Sequence, residues 1–178
     1  MSLDVSTVQA FTQGRLDQDD AETARQLDAA VTAARNYCGW HVTPVLVDQE
    51  VTLDGPGTHL LVLPTLKLTE LSEVNEDEVE IELTDLNWSV RGLIQKKSGH
   101  WWSQMFGAIV VIFSHGYTSA NAQDFESAIF SAIARGAFST ETSPRVIGPF
   151  QYSDTTAGAL FTDAERAILH RYSLERSA

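Results

Sequence analysis

Cysteine is nearly absent from the chain: Cys38 is the one thiol in 178 residues, so neither an internal disulfide nor a thiolate metal cluster can form within one copy. Its setting, RNYCGW between Tyr37 and Trp40, reads as buried packing rather than as a nucleophile. No apolar run approaches the roughly 20 residues that a membrane-crossing helix needs. The opening MSLDVSTVQAFTQ lacks the basic start and apolar core of a signal peptide. A soluble protein made in a cytoplasm, with no membrane partner, is therefore expected. Positive charge is also scarce, with 12 Lys and Arg against 24 Asp and Glu and a net charge of −12. A chain this acidic does not grip nucleic acid by neutralising phosphates, because that mode needs a basic face.

Recognisable catalytic patterns are missing as well. The five histidines, at positions 41, 59, 100, 115 and 170, form no H-x-x-x-H pair and have no acidic neighbour at metal spacing. The chain has no G-x-S-x-G elbow, phosphate loop or dinucleotide fingerprint. No catalytic residue, metal or cofactor is expected. His115 beside Ser114 is the remaining candidate for an enzyme. Neighbours on a strand point to opposite faces, so the two cannot readily act as base and nucleophile.

What is present is enough for one domain. With 43% hydrophobic residues the chain can bury a core of its own. Its acidity is concentrated: residues 1–89 hold 17 acidic and 4 basic side chains, whereas residues 90–178 hold 7 and 8. The densest stretch is ELSEVNEDEVEIE, residues 70–82, with Glu73, Glu76, Asp77, Glu78, Glu80 and Glu82. It lacks the glycine and the D-x-D-x-D spacing of a calcium loop. It reads as a loop running into an edge strand, whose Glu78, Glu80 and Glu82 alternate with Val79, Ile81 and Leu83 and face solvent.

The expected fold class is α+β. In residues 1–43, Val5, Val8 and Phe11 predict a short helix ended by Gly14. A longer second helix opens on Asp17, Asp19, Asp20 and Glu22, carries Leu27, Val31, Ala34 and Cys38 on one face, and stops at Gly39. Pro44 keeps the chain extended, and residues 44–115 form a β-rich insertion, an antiparallel small sheet or barrel. HLLVLP, EVEIEL, WSVRGLIQ and AIVVIF are its expected strands. GHWWSQMFG, residues 99–107, reads as a hairpin tip or surface loop. Its adjacent Trp101 and Trp102 point to opposite sides if extended, so at least one is exposed or held by a partner.

A helix returns over residues 116–138, where Phe125, Ile129, Ala132, Ile133 and Gly136 make an apolar stripe with small residues that lets another backbone come close. Residues 139–161, rich in Ser, Thr, Gly and Pro, read as a loop with one extended piece around Ile147 to Tyr152. Residues 162–178 form a closing helix. Its TDAE start gives Thr162 and Glu165 the capping-box spacing, and it ends in the basic Arg171 and Arg176. At the turn before the third helix, Gly116 supplies backbone freedom, while the His115 ring is expected to hydrogen-bond a nearby backbone or carboxylate group.

The order of these pieces carries a resemblance. YCGWHVTPV closes the helical pair and a β insertion follows. VVIFSHGY, with His115, Gly116 and Tyr117, then leads into a small-residue helix. VIGPFQYS, with Gly148, Tyr152 and Ser153, precedes LFTDAERAILHRY, with Glu165, Leu169 and Tyr172. Over nearly its whole length the chain resembles the head-to-tail adaptor (connector) proteins of long-tailed bacteriophages.

The resemblance implies a structural virion protein of the neck. Such adaptors form a ring, typically of twelve copies, below the portal vertex, present a platform to head-stopper or tail proteins, and leave a central channel for DNA. It implies that Arg166, Leu169, His170, Arg171, Tyr172 and Arg176 of the closing helix and tail dock the portal. Glu73, Glu76, Asp77, Glu78 and Glu80 become candidates for an acidic channel wall along which DNA slides without specific binding. Trp101 and Trp102 become candidates for a subunit or tail-side contact. Two alternatives stand beside this reading: a tail-completion or head-stopper protein of the same apparatus, and an enzyme using His115.

Overall fold

The computed structural model describes residues 3–138, 146–147, 150–151 and 161–174. The chain divides into two compact units. The first takes the residues up to Tyr37 together with Gln123–Arg171, and the second takes Cys38–Ala122 with the residues from Tyr172 onward.

The first unit is helical. Helix α1, Val5–Phe11, is capped by Asp4, whose carboxylate accepts the Thr7 amide at 2.8 Å. Helix α2, Ala21–Cys38, begins after the Asp20 carboxylate accepts the Glu22 amide at 3.0 Å, and it buries Leu27, Ala30 and Ala34. Helix α3, Gln123–Phe138, buries Phe125, Ala128, Ile129, Phe130, Ala132 and Ile133. The Phe11 ring of α1 lies 5.7 Å from that of Phe130. At Gly136, expected on the close-packed stripe, no described residue comes within 4 Å of where a Cβ would stand.

Two short strands, β8 at Val146–Ile147 and β9 at Phe150–Gln151, pair antiparallel within the segment expected to hold one extended piece. Helix α4 spans Asp163–His170. Its start is a reciprocal capping box: the Thr162 hydroxyl accepts the Glu165 amide, and the Glu165 carboxylate accepts the Thr162 amide at 2.7 Å.

The second unit carries the β insertion. Strands β1 (Leu46–Leu53), β3 (Leu68–Glu76), β4 (Val79–Glu80) and β7 (Ile109–His115) form one sheet in the order β1-β7-β3-β4. Strands β2 (Leu60–Val62), β5 (Leu86–Trp88) and β6 (Leu93–Lys96) form a second in the order β2-β6-β5. Every pairing is antiparallel, and among the described residues neither sheet closes into a barrel. Strand β7 is central because both neighbours cover it. Its Ile109, Val111 and Phe113 alternate into a core with Leu61, Leu68, Leu71, Val74, Ile94 and Trp102, all buried.

Two expected strands have different limits, and one expected loop is a strand. WSVRGLIQ is a hairpin of β5 and β6, because the chain reverses at Gly92, whose φ of +75° seats it against Thr65. EVEIEL pairs over Val79–Glu80 alone, since the two-residue turn at Asp77 and Glu78 fixes the register Asn75↔Glu80 and the chain then enters a 3-10 turn at Leu83–Asp85. Both turn residues have positive φ, 50° and 66°, as a type I′ hairpin requires. ELSEVNE is not a loop but the body of β3, paired with β7.

Candidate functional site

His115 ends β7 within a cluster of rings. It stacks on Trp40 at 6.1 Å between centroids, meets His41 edge-on at 4.4 Å and lies 4.5 Å from Phe113. The side chain is buried, and its Nδ1 finds no hydrogen-bond partner among the described residues. Packing thus takes the place of the hydrogen bond expected from the sequence. Burial, with a smaller contribution from His41, pushes the His115 pKa down to about 4, so the ring is neutral near pH 7. His41 donates through Nε2 to the Pro44 carbonyl at 2.8 Å.

Gly116 follows at φ +118°, and a Cβ there would stand 2.6 Å from the Pro44 carbonyl oxygen. Ser114 is not aimed at the imidazole: its hydroxyl accepts the Asp48 amide at 3.1 Å, where the β1–β7 register shifts. The rings of Trp40, His41 and Phe113 thus pack around His115 where the strand gives way to the turn. Cys38 is also buried, its thiol pushed up to about 12 by desolvation. Among the described residues, no group of three or more His, Cys, Asp or Glu side chains is placed to hold a metal ion.

The loop between β6 and β7 is held more tightly than its sequence suggests. Trp102 is buried under the Lys96 ammonium, 4.6 Å from the ring centre, while Trp101 is exposed. Lys96 pairs with Glu76 at 2.5 Å, and Glu76 also accepts the Ser103 amide at 2.7 Å. The Trp102 amide donates to the Thr58 carbonyl, and the amides of Gly57 and Gly55 donate to the carbonyls of Ser103 and Met105 at 3.0 and 2.8 Å. The two backbones approach so closely that a side chain at Gly55 would collide with the Ser103 carbonyl. This braced loop presents Met105 and Phe106 to solvent at 68% and 90% exposure. The exposed apolar tip is therefore Met105 and Phe106, beside the exposed Trp101.

The same unit contains an apolar cavity of about 390 Å³, walled by Leu53, Val62, Leu63, Pro64, Leu66 and Leu93, with Arg91 and Leu174 also contributing. Of the acidic stretch, Asp77, Glu78 and Glu80 are exposed. Glu76 turns inward to Lys96, and Glu73 is half-buried, accepting from Asn75 Nδ2 at 2.6 Å.

On the closing helix, Arg166 and His170 are exposed, and Arg166 lies 3.7 Å from Asp163. Arg171, just past the helix, is exposed and pairs with Asp124 at 2.6 Å. Leu169 is fully buried in the first unit. The carbonyl of Tyr172, in the second unit, accepts Trp40 Nε1 at 2.7 Å. Arg176, Gly148, Tyr152 and Ser153 lie outside the described residues. In the first unit Arg135 grips Glu165 with two hydrogen bonds of 2.9 and 2.7 Å.

No family model matches this chain, and no curated protein matches it. Among solved structures the chain is similar to one described as the neck of an empty GTA particle computed with C6 symmetry. The likeness covers 95% of this chain and 88% of that one, with a TM-score of 0.58 and 16% sequence identity. At this identity it establishes a shared fold.

Proposed function

We propose that the chain is a structural protein of a virion neck, a head-to-tail adaptor that forms a ring below the portal, connects the capsid to the tail and leaves a channel for DNA. One observation carries this reading: the helical pair, the β insertion, the third helix and the capped closing helix match a chain from the neck of a phage-like gene transfer agent over 95% of their length. The adaptor resemblance of the sequence points to the same apparatus by a separate route. The His115 cluster supports a non-enzymatic role, since its ring is packed among aromatics instead of facing a polar cleft.

On this reading Arg166, His170 and Arg171 face the portal, with Arg176 in the tail beyond them. Leu169, buried in the first unit, serves by holding the helix in place, and Tyr172 remains a candidate contact. Glu78 and Glu80, with Asp77, stand toward the channel, with Glu73 and Glu76 behind them. The acidic first half of one copy meets the basic side chains of the second half of its neighbour.

The test is mass by light scattering on the chain alone and then with its portal protein, with electron-microscope class averages of any large species. A ring of about twelve that co-migrates with the portal is expected. A chain that ignores the portal and joins only tail proteins would be a tail-completion or head-stopper protein instead. A chain indifferent to both would return the enzyme reading at His115.

A further inference from the structure

The braced loop and the apolar cavity share a property that a solitary chain leaves without use. Phe106 is 90% exposed and Met105 68%, yet the backbone beneath them is fixed by hydrogen bonds to Gly55, Gly57, Thr58 and Glu76. The Gly107 amide adds a further bond to the Asp54 carboxylate at 2.8 Å. Ordering an apolar tip in water has no benefit in the free chain, whereas pre-organisation lowers the entropy cost of docking it.

The cavity is the converse shape. Its walls are leucine, valine and proline, and its volume of about 390 Å³ exceeds that of one aromatic side chain. Charge is complementary as well. The tip is flanked by the carboxylates of Asp54 and Asp77, which accept from Gly107 and Ser103, while among the described residues Arg91 is the charged one lining the cavity.

We infer that the occupant of the cavity is a second copy of this chain: Phe106 of one copy seats among Leu53, Val62 and Leu93 of another, and Arg91 of the receiving copy faces the carboxylates beside the incoming ring. The inference rests on the ring reading given under Proposed function and names a contact within it. Every copy carries both tip and cavity, so a head-to-tail contact of this kind propagates from copy to copy and closes when the rotation per subunit closes. An aromatic anchor in a desolvated apolar pocket, rimmed by opposite charges, is the arrangement in which interface energy concentrates.

The experiment is disulfide trapping on the full chain, alone and with the portal. Cys38 takes no part because it is buried and its thiol stays protonated. Phe106→Cys and Val62→Cys are placed in separate chains, mixed and mildly oxidised. A mixed disulfide is expected, absent from either variant alone and absent when Val47→Cys, at a residue 66% exposed that does not line the cavity, replaces Val62→Cys. The double variant F106C/V62C is expected to give a ladder extending beyond the dimer.

Phe106→Ser, at a site too exposed to carry folding stability, is expected to weaken self-association at least tenfold with the thermal midpoint unchanged. Rings that form without the mixed disulfide, or that assemble equally well with Phe106→Ser, overturn the seat and leave the neck reading standing. So does a Phe106→Cys that cross-links only to an added tail protein. A chain that stays monomeric with and without the portal, and yields no mixed disulfide, defeats both.

Discussion

At the scale of single residues, His115 shows how far the surroundings decide what a side chain can do. A histidine at a strand end suits a general base when it meets water and a carboxylate. Here it meets Trp40, Phe113 and His41, and its Nδ1 has no partner among the described residues. The consequence is a dependence on pH whose sign is fixed. The folded pKa of about 4 lies below the 6.5 of a free histidine, so as pH falls the unfolded chain takes the proton first. Stability from this residue is complete above pH 6.5, declines as pH falls toward 4, and stays lost below. At 1.36 kcal/mol per tenfold change in proton affinity, the chain should be about 2 kcal/mol less stable at pH 5 than at pH 7.5. His41 is the titratable group in contact with the ring, and its charge would add to the penalty. Urea titrations of the wild type and of His115→Leu at the two pH values check this. The variant should lose most of the pH dependence, and a loss that it retains in full would belong to other groups.

Among the elements, α4 depends on one carboxylate with two tasks. Burial pushes the Glu165 pKa up, but the hydrogen bonds from Arg135 and from Thr162 outweigh it, and the group is held below the usual range. A depressed carboxylate contributes stability above its unfolded pKa and loses it as pH falls. Glu165→Gln keeps the shape and removes the charge, so it should cost about 1–3 kcal/mol, read as a drop in the urea midpoint that Thr162→Ala only partly reproduces. The capping box was legible in TDAE because its partners lie three residues apart. The hairpin in WSVRGLIQ was not, because the turn depends on Gly92 seating against Thr65. The exposure of Phe106 was equally hidden, since it follows from Gly55 meeting the Ser103 carbonyl, and no period of MFG encodes that. Legibility also differs along the closing helix: Leu169 is buried where a contact residue was expected, whereas Arg166 stands free of the core. On the proposed portal-facing reading, Arg166→Glu should weaken binding to the portal about tenfold in a sedimentation or light-scattering titration, with no shift in thermal midpoint. An unchanged affinity would move the portal contact elsewhere on the chain.

For the whole molecule, the decisive quantity is the net charge of −12 and its crowding into residues 1–89. Duplex DNA releases counterions to a protein only where cationic side chains replace them, so an acidic wall gains nothing from contact and repels the phosphates at short range. On the proposed adaptor reading, a ring with such a wall would pass a genome without holding it, and the absence of affinity can be measured. The wild-type chain, as a ring or in complex with the portal, should leave linear duplex DNA unretarded in a gel at 0.1 M salt. Glu78 and Glu80 are exposed on a short hairpin with no ion pair in the described structure, so both can be reversed at little cost in stability. If they border the channel, Glu78→Lys with Glu80→Lys should create DNA binding that falls steeply with added salt, because every ring then carries many new cations around one bore. The same double reversal on an outer surface would leave the ring as indifferent to DNA in a channel-threading assay as before. Wild-type rings that bind duplex DNA at micromolar concentration in 0.1 M salt would contradict free passage, whatever the orientation of the hairpin.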